Sequence, residues 1–165
     1  MKTNAPVSVR AIDIYDEQKI ADILRDQMNT LGYDKAFFES KKVVIKPNLV
    51  MKKAPDAAAT THPAVLSALL TVLKEKGVSP LIAESPGGLY NRQRLEGVYR
   101  MCGIAEVADR HGAELNYDTE AVFLPFPNGK TVKQFHVIRP IAEADVVIDL
   151  CKLKSHGLTK MSAAI

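Results

Sequence analysis

The sequence predicts an α/β domain: a mostly parallel sheet flanked by helices, with an antiparallel hairpin appended. Two observations carry that prediction. Short apolar, β-forming runs such as Val43-Val44-Ile45 and Val146-Val147-Ile148 alternate with stretches of helical periodicity, the pattern of a sheet covered on both faces. One pair of apolar runs instead flanks Pro127-Asn128-Gly129-Lys130, and Asn-Gly in that setting signals a hairpin.

Taken in order, Val7–Ile12 predicts a first strand. Asp16–Leu31 places apolar residues at Ile20, Ile23, Leu24, Met28 and Leu31, a helical spacing that ends at Gly32. Val43–Lys46 predicts the second strand. A long loop, Asn48–Thr61, leads to Pro63, which suits the first turn of a helix running to Lys76, with Gly77 just past its end. Leu81-Ile82-Ala83 predicts a short strand, closed by Glu84-Ser85-Pro86-Gly87-Gly88. Helices follow from Tyr90 to Arg110, broken near Gly103, and Glu114–Tyr117 predicts another strand. Val122–Phe126 and Thr131–Ile138 form the hairpin, and Ala144–Leu150 a further strand. The arrangement is Rossmann-like. Lys160–Ile165 reads as a helix beginning without a stop signal, so residues 1–165 are expected to be a single α/β domain, truncated at its C-terminus.

Composition narrows the function classes. Of 165 residues, 47% are hydrophobic, which is enough for a core. The net charge of +3 and pI near 8.8 are too mildly basic to argue for nucleic acid, and there is no aromatic ladder for stacking bases. Met1–Pro6 lacks an apolar signal core and no apolar run is long enough to span a bilayer, so no membrane partner is expected. Two distant cysteines, Cys102 and Cys151, cannot hold a zinc ribbon or an iron–sulfur cluster alone, and a cytoplasmic location is expected.

Three familiar motifs fail. Gly129-Lys130-Thr131 resembles the end of a Walker A loop, but position 124 is leucine and the context is a hairpin. Ala83-Glu84-Ser85-Pro86-Gly87 resembles a nucleophile elbow, but Pro86 has no N–H for an oxyanion hole. No GxGxxG is present.

Four motifs survive. Lys46-Pro47-Asn48 delivers a cation and an amide to the carboxyl end of a buried strand, where α/β proteins bind ligands; its bland alternatives are a surface lysine or a structural ion pair with a carboxylate such as Glu84. Thr60-Thr61-His62-Pro63 offers hydroxyls and a helix N-terminus to an anion, or simply a threonine cap. Glu84-Ser85-Pro86-Gly87-Gly88 combines a carboxylate with glycines that permit close backbone approach. In Lys152-x-Lys154-x-His156, an extended chain puts all three side chains on one face. His62, Glu84 and His156 suit a two-histidine, one-carboxylate metal site, but the neighbouring lysines favour an anion, so no metal is assigned.

The ordered set Val44-Ile45-Lys46-Pro47-Asn48-Leu49-Val50, Ala59-Thr60-Thr61-His62-Pro63, Ala83-Glu84-Ser85-Pro86-Gly87-Gly88 and Asp145 to Thr159 resembles the domain of unknown function 362 family of bacteria and archaea. The resemblance runs from Val43 to the last residue. It implies an α/β domain, often in proteins that continue into a ferredoxin-like module with cysteine-ligated [4Fe–4S] clusters. Family members typically follow the Lys-x-Lys-x-His segment with a Lys-Asn stretch, absent here, and often carry proline at the position of Cys151. The resemblance itself implies no activity.

The expected function is therefore binding of a small carboxylate or phosphate by Lys46, Asn48, Thr61, Ser85, Gly87, Gly88, Lys152 and Lys154. His62, Glu84 or His156 would move a proton. The domain would be the substrate-side part of an iron–sulfur-associated redox protein, with no cofactor in this chain and any [4Fe–4S] cluster in a missing C-terminal module. The alternative is a non-catalytic module that binds an anion or an acidic partner. Oligomeric state is not read from the sequence.

Overall fold

Residues 6–162 are described by the computed structural model. Asp16 starts helix α1 (Glu17–Thr30): its carboxylate accepts the Lys19 N–H at 2.9 Å, satisfying one of the donors a helix start leaves unpaired. A short helix α2 (Lys35–Phe38), capped the same way by Asp34, precedes strand β1 (Val43–Pro47). A 3-10 turn at Pro55–Ala57 interrupts the long loop to helix α3 (Pro63–Glu75), in which Pro63 takes the first helical position. Strand β2 (Leu81–Ile82) follows, then helices α4 (Arg92–Met101) and α5 (Ile104–His111). Gly103 divides these two helices at φ +73°, and a Cβ there would sit 3.3 Å from Pro63 Cγ, so glycine answers both the turn and the close approach. Strand β3 (Glu114–Leu115) leads to a hairpin of β4 (Ala121–Pro125) and β5 (Gln134–Ile138). Helix α6 (Arg139–Ala142), strand β6 (Val146–Leu150) and a second hairpin of β7 (Lys154–His156) and β8 (Lys160–Ser162) complete the order.

The main sheet is parallel throughout, in the order β3-β2-β1-β6. From β1 the chain steps outward to β2 and β3, then returns to lay β6 against the other side of β1. That reversal makes the crevice at the carboxyl ends of β1 and β6 a topological switch point, the usual ligand position in open α/β sheets.

Strand β1 is buried on both faces, which is why Val43-Val44-Ile45 reads as a continuous apolar run. Val43 and Ile45 join the main core with Leu66 and Leu73 of α3, Tyr99 of α4 and Ile104 of α5. Val44 belongs to a smaller layer with Ala83 and Ile138, beneath the first hairpin and α6. Helix α1 packs through Ile20 and Ala21 on Ala64, Ala68 and Val72 of α3. A polar clasp reinforces this contact. The buried Ser67 hydroxyl donates to Glu17 Oε2 at 2.7 Å and lies 2.8 Å from His111 Nε2, while Arg110 holds Glu17 Oε1 at 2.8 Å.

The α/β class, the parallel sheet and the appended hairpin are as the sequence predicts. Four local expectations need correction. Val7–Ile12 forms no strand; Val7 and Val9 are exposed, and Ser8 is held only through its carbonyl by Gln27. Their alternation is strand-like, but a strand needs a partner edge. Residues 160–162, expected to begin a helix, pair with β7 as β8 instead; residues 163–165 lie outside the described residues. The first hairpin forms where Asn128-Gly129 signals it, but its second strand begins at Gln134 and not at Thr131. The β4–β5 pairing stops at Pro125 and Gln134, and Pro127-Asn128 occupy the centre of a turn closed by Gly129 N–H on Phe126 O. The cap of α3 is the fourth correction: with Pro63 at the first helical position, the capping residue is His62 and not a threonine. Among the described residues, no helix is long and apolar enough to cross a membrane.

Candidate functional site

Two strands and two loops build the site at the switch point. Lys46 sits near the end of β1, two residues beyond Val44 on the same face, where the apolar layer gives out. Its ammonium lies 3.2 Å from Glu84 Oε1, the ion pair that the sequence offered as a bland alternative. Glu84, just past β2, is only 3% exposed, yet its carboxylate is fully engaged. Oε2 accepts the Leu49 N–H at 2.5 Å and Oε1 accepts the Ser85 N–H at 2.8 Å. Its own N–H donates to the Tyr99 hydroxyl at 3.2 Å. This carboxylate therefore ties the loop after β1 to the loop after β2 and anchors Lys46.

Asn48 and Thr61 close the loop between β1 and α3. The Asn48 N–H donates to Thr61 Oγ1 at 2.8 Å, the Thr61 N–H returns to Asn48 O at 2.9 Å, and the Thr61 hydroxyl donates to Leu150 O at 2.6 Å. The last bond crosses to the end of β6. From there Lys154 reaches back: Nζ donates to Asn48 Oδ1 at 2.5 Å and to Ala59 O at 2.8 Å. Both acceptors are neutral. Burial pushes the Lys154 pKa below the lysine value of 10.5, and Lys152 and Lys46 push the same way against the pull of Glu84. These four charges are thus electrostatic neighbours. Neither Lys152 nor Lys154 has a carboxylate ion-pair partner among the described residues. Asp149 is the register neighbour of Lys46 on β6 but is exposed and makes no ion pair with it.

His62 caps α3 through Nδ1, which accepts the Ala64 N–H at 3.2 Å, so the neutral ring carries its proton on Nε2. Tyr15 stacks flat on this imidazole at 3.7 Å, and the Tyr15 hydroxyl accepts from Lys152 Nζ at 3.1 Å. Burial, then the Lys152 charge, lower the His62 pKa below 6.5. Replacing Tyr15 with alanine is expected to uncover the ring and move the His62 pKa back up toward 6.5. A histidine NMR titration checks this, and an unmoved pKa would remove Tyr15 from the site.

Motifs one, two and four are thus brought together, and Glu84 and Ser85 bring in the third. Ser85 lines a cleft beside Lys46. Gly87 O accepts from Arg94 Nη2 at 2.9 Å, and Gly88, at φ +91°, adopts a backbone conformation open chiefly to glycine; both serve the loop rather than an open cradle. His156 stands apart: its Nδ1 accepts the Leu158 and Thr159 N–H groups within the turn of the second hairpin. The described residues contain no group of three or more His, Cys, Asp or Glu side chains placed to hold a metal. Cys102 is buried in the core and Cys151 exposed, so the chain offers no ligand set for a cysteine-bound cluster. Sequence reasoning missed Tyr15, which comes from the segment before α1 with no motif to mark it. Thr60, part of the second motif but not of the expected ligand-binding set, has a buried hydroxyl with no partner among the described residues.

A family model described as a domain of unknown function (DUF362) matches residues 43–165. The chain belongs to that family. The DUF362 match begins at the first residue of β1 and so contains every site element except Tyr15. The chain is also similar to a thylakoid-associated protein of Synechocystis sp. (strain ATCC 27184 / PCC 6803 / Kazusa), with 26% identity over 96% of its own length. It spans 48% of that relative, about half. No solved structure matches.

Proposed function

We propose that this DUF362 domain binds a small carboxylate or phosphate in the crevice between the carboxyl ends of β1 and β6. One observation carries the reading: Lys154 is a half-buried ammonium at a topological switch point, satisfied by two neutral oxygens and crowded by Lys46 and Lys152. Clustered cations with too few counter-charges create an electrostatic demand that an anion meets. The buried Thr60 hydroxyl beside Thr61 has no partner among the described residues, which adds an unmet polar group to that demand.

Of the three groups considered for proton transfer, His62 suits the role best, because Lys152 acts on it directly and it is neutral near pH 7. Glu84 is committed to two backbone N–H groups, and His156 to its own turn. Those commitments favour a second reading, a non-catalytic module that holds an anion or an acidic partner at the same lysines. A redox role beside an iron–sulfur module remains an implication of the family, with no step assigned to this chain. A reducing cytoplasmic compartment accords with two free thiols.

Calorimetric titration with inorganic phosphate at low ionic strength tests the site. Saturable binding is expected, weakening about tenfold or more between 20 and 200 mM salt, because the lysines are partly exposed to screening. Absence of saturable binding, or binding indifferent to salt, would contradict it.

A further inference from the structure

Lys46 and Ser85 of the anion site also line a cleft whose other residues point to the rest of the ligand. This inference rests on the anion-binding reading above and deepens it. Lys46 and Ser85 form one end of a cleft of about 550 Å³ on the side of the sheet covered by the first hairpin. Its floor is apolar. Ile138 and Tyr90 belong to, or pack against, the layer that Val44 and Ala83 form under that hairpin, and Ile141 of α6 extends it. The polar end and the apolar floor meet at Lys46, because Val44 and Lys46 are successive same-face residues of β1.

The opposite wall comes from the hairpin. Thr119, just before β4, and His136, on β5, face the same space. His136 stacks flat on Phe123, its register partner across the hairpin, at 4.4 Å. A cleft of this size is far larger than phosphate or acetate requires and falls in the range of sites for small organic ligands. An apolar floor offers nothing to a fully polar body, whereas it gains from covering carbon surface.

We infer that the ligand is a carboxylate or phosphate ester carrying an apolar, ring-sized body, with the anionic group at the lysines and the body between the sheet face and the hairpin. Specificity then divides between two sets of residues from different parts of the fold. Lys46, at the cleft, holds the charge with its electrostatic neighbours Lys154 and Lys152, and Tyr90, Ile138 and His136 select the body. The hairpin, appended to the parallel sheet without lengthening it, thereby acquires a function as the cleft's second wall.

The test compares methyl phosphate with phenyl phosphate on the wild-type protein by calorimetry. Phenyl phosphate is expected to bind about tenfold more tightly, a modest share of what burying a ring contributes. Thr119→Trp, which fills the cleft from its rim, should bring phenyl phosphate down to the methyl phosphate affinity and leave methyl phosphate unchanged. Ala121→Phe serves the same purpose if the first variant does not fold. Equal affinity of the two esters for the wild type would overturn this inference and leave the anion site standing. Failure of both esters to bind would overturn the anion site and this inference together.

Discussion

Glu84→Ala is expected to destabilise the protein by about 3–5 kcal/mol, the range for removing one partner of a buried charged network. Three consequences follow from the single deletion. The Leu49 and Ser85 N–H groups lose their acceptor, and Lys46 loses its only ion-pair partner among the described residues. A buried donor left unpaired costs about 1–3 kcal/mol by itself, and the Leu49 N–H becomes one, with the part-buried Ser85 N–H adding less. Glu84→Gln keeps the shape and one acceptor oxygen, but its amide nitrogen must face a second donor, so it should recover only part of the loss. Urea unfolding measures both. If Glu84→Ala unfolds within about 0.5 kcal/mol of the wild type, as an ordinary surface change would, then the carboxylate is not the tie between the two loops.

Lys154→Met is the second large effect, and it acts on binding rather than folding. The substitution removes a charge that has no counter-ion, so inorganic phosphate affinity should fall by at least about tenfold, or 1.4 kcal/mol. Stability should hold or rise. The folded-state pKa of Lys154 is lowered, so in the interval between that value and 10.5 the unfolded chain binds more protons than the folded one. Stability of the ligand-free protein therefore rises with pH across that interval, and below it the folded state carries the full cost of the desolvated charge. Methionine removes this cost at every pH. Phosphate binding has the opposite trend, falling as pH rises through the lowered pKa. A variant that is strongly destabilised yet binds phosphate normally would contradict both expectations at once.

The sequence revealed most where burial was complete. Strand β1 lies between two layers, so its apolar run could not be mistaken for a surface helix, and Lys46-Pro47-Asn48 marked its end. The motifs at the carboxyl ends were legible for the same reason: a lysine following a buried run has to be answered by something. Failures occurred where the local pattern depended on a distant partner. Val7 and Val9 alternate with Ser8 and Arg10 as a strand would, but no described edge pairs with them. Residues 160–162 have side chains compatible with a helix, yet pairing with Lys154–His156 decides their conformation. Tyr15 and His136 carry no motif at all. Tyr15 reaches His62 through the packing of α1 on α3, and His136 shares a cleft with Lys46 through the placement of the hairpin beside the sheet. Reading a lone residue of either kind requires the topology first. Conversely, His156 looked chemical in sequence because it followed two lysines at alternate positions, and its backbone bonds give it a turn-holding role.

The central claim is that an anion sits at the switch point between β1 and β6, and the most direct measurement is an amide NMR titration of the ¹⁵N-labelled protein with inorganic phosphate. Saturable shifts are expected at Asn48, Thr61 and Lys154, with one common dissociation constant. A second lysine-lined cleft lies at the other end of the sheet, where Lys41, Lys42 and Lys74 gather with Glu114 and Glu143. Shifts confined to Lys41, Lys42 and their neighbours, or no saturable shifts, would contradict the account.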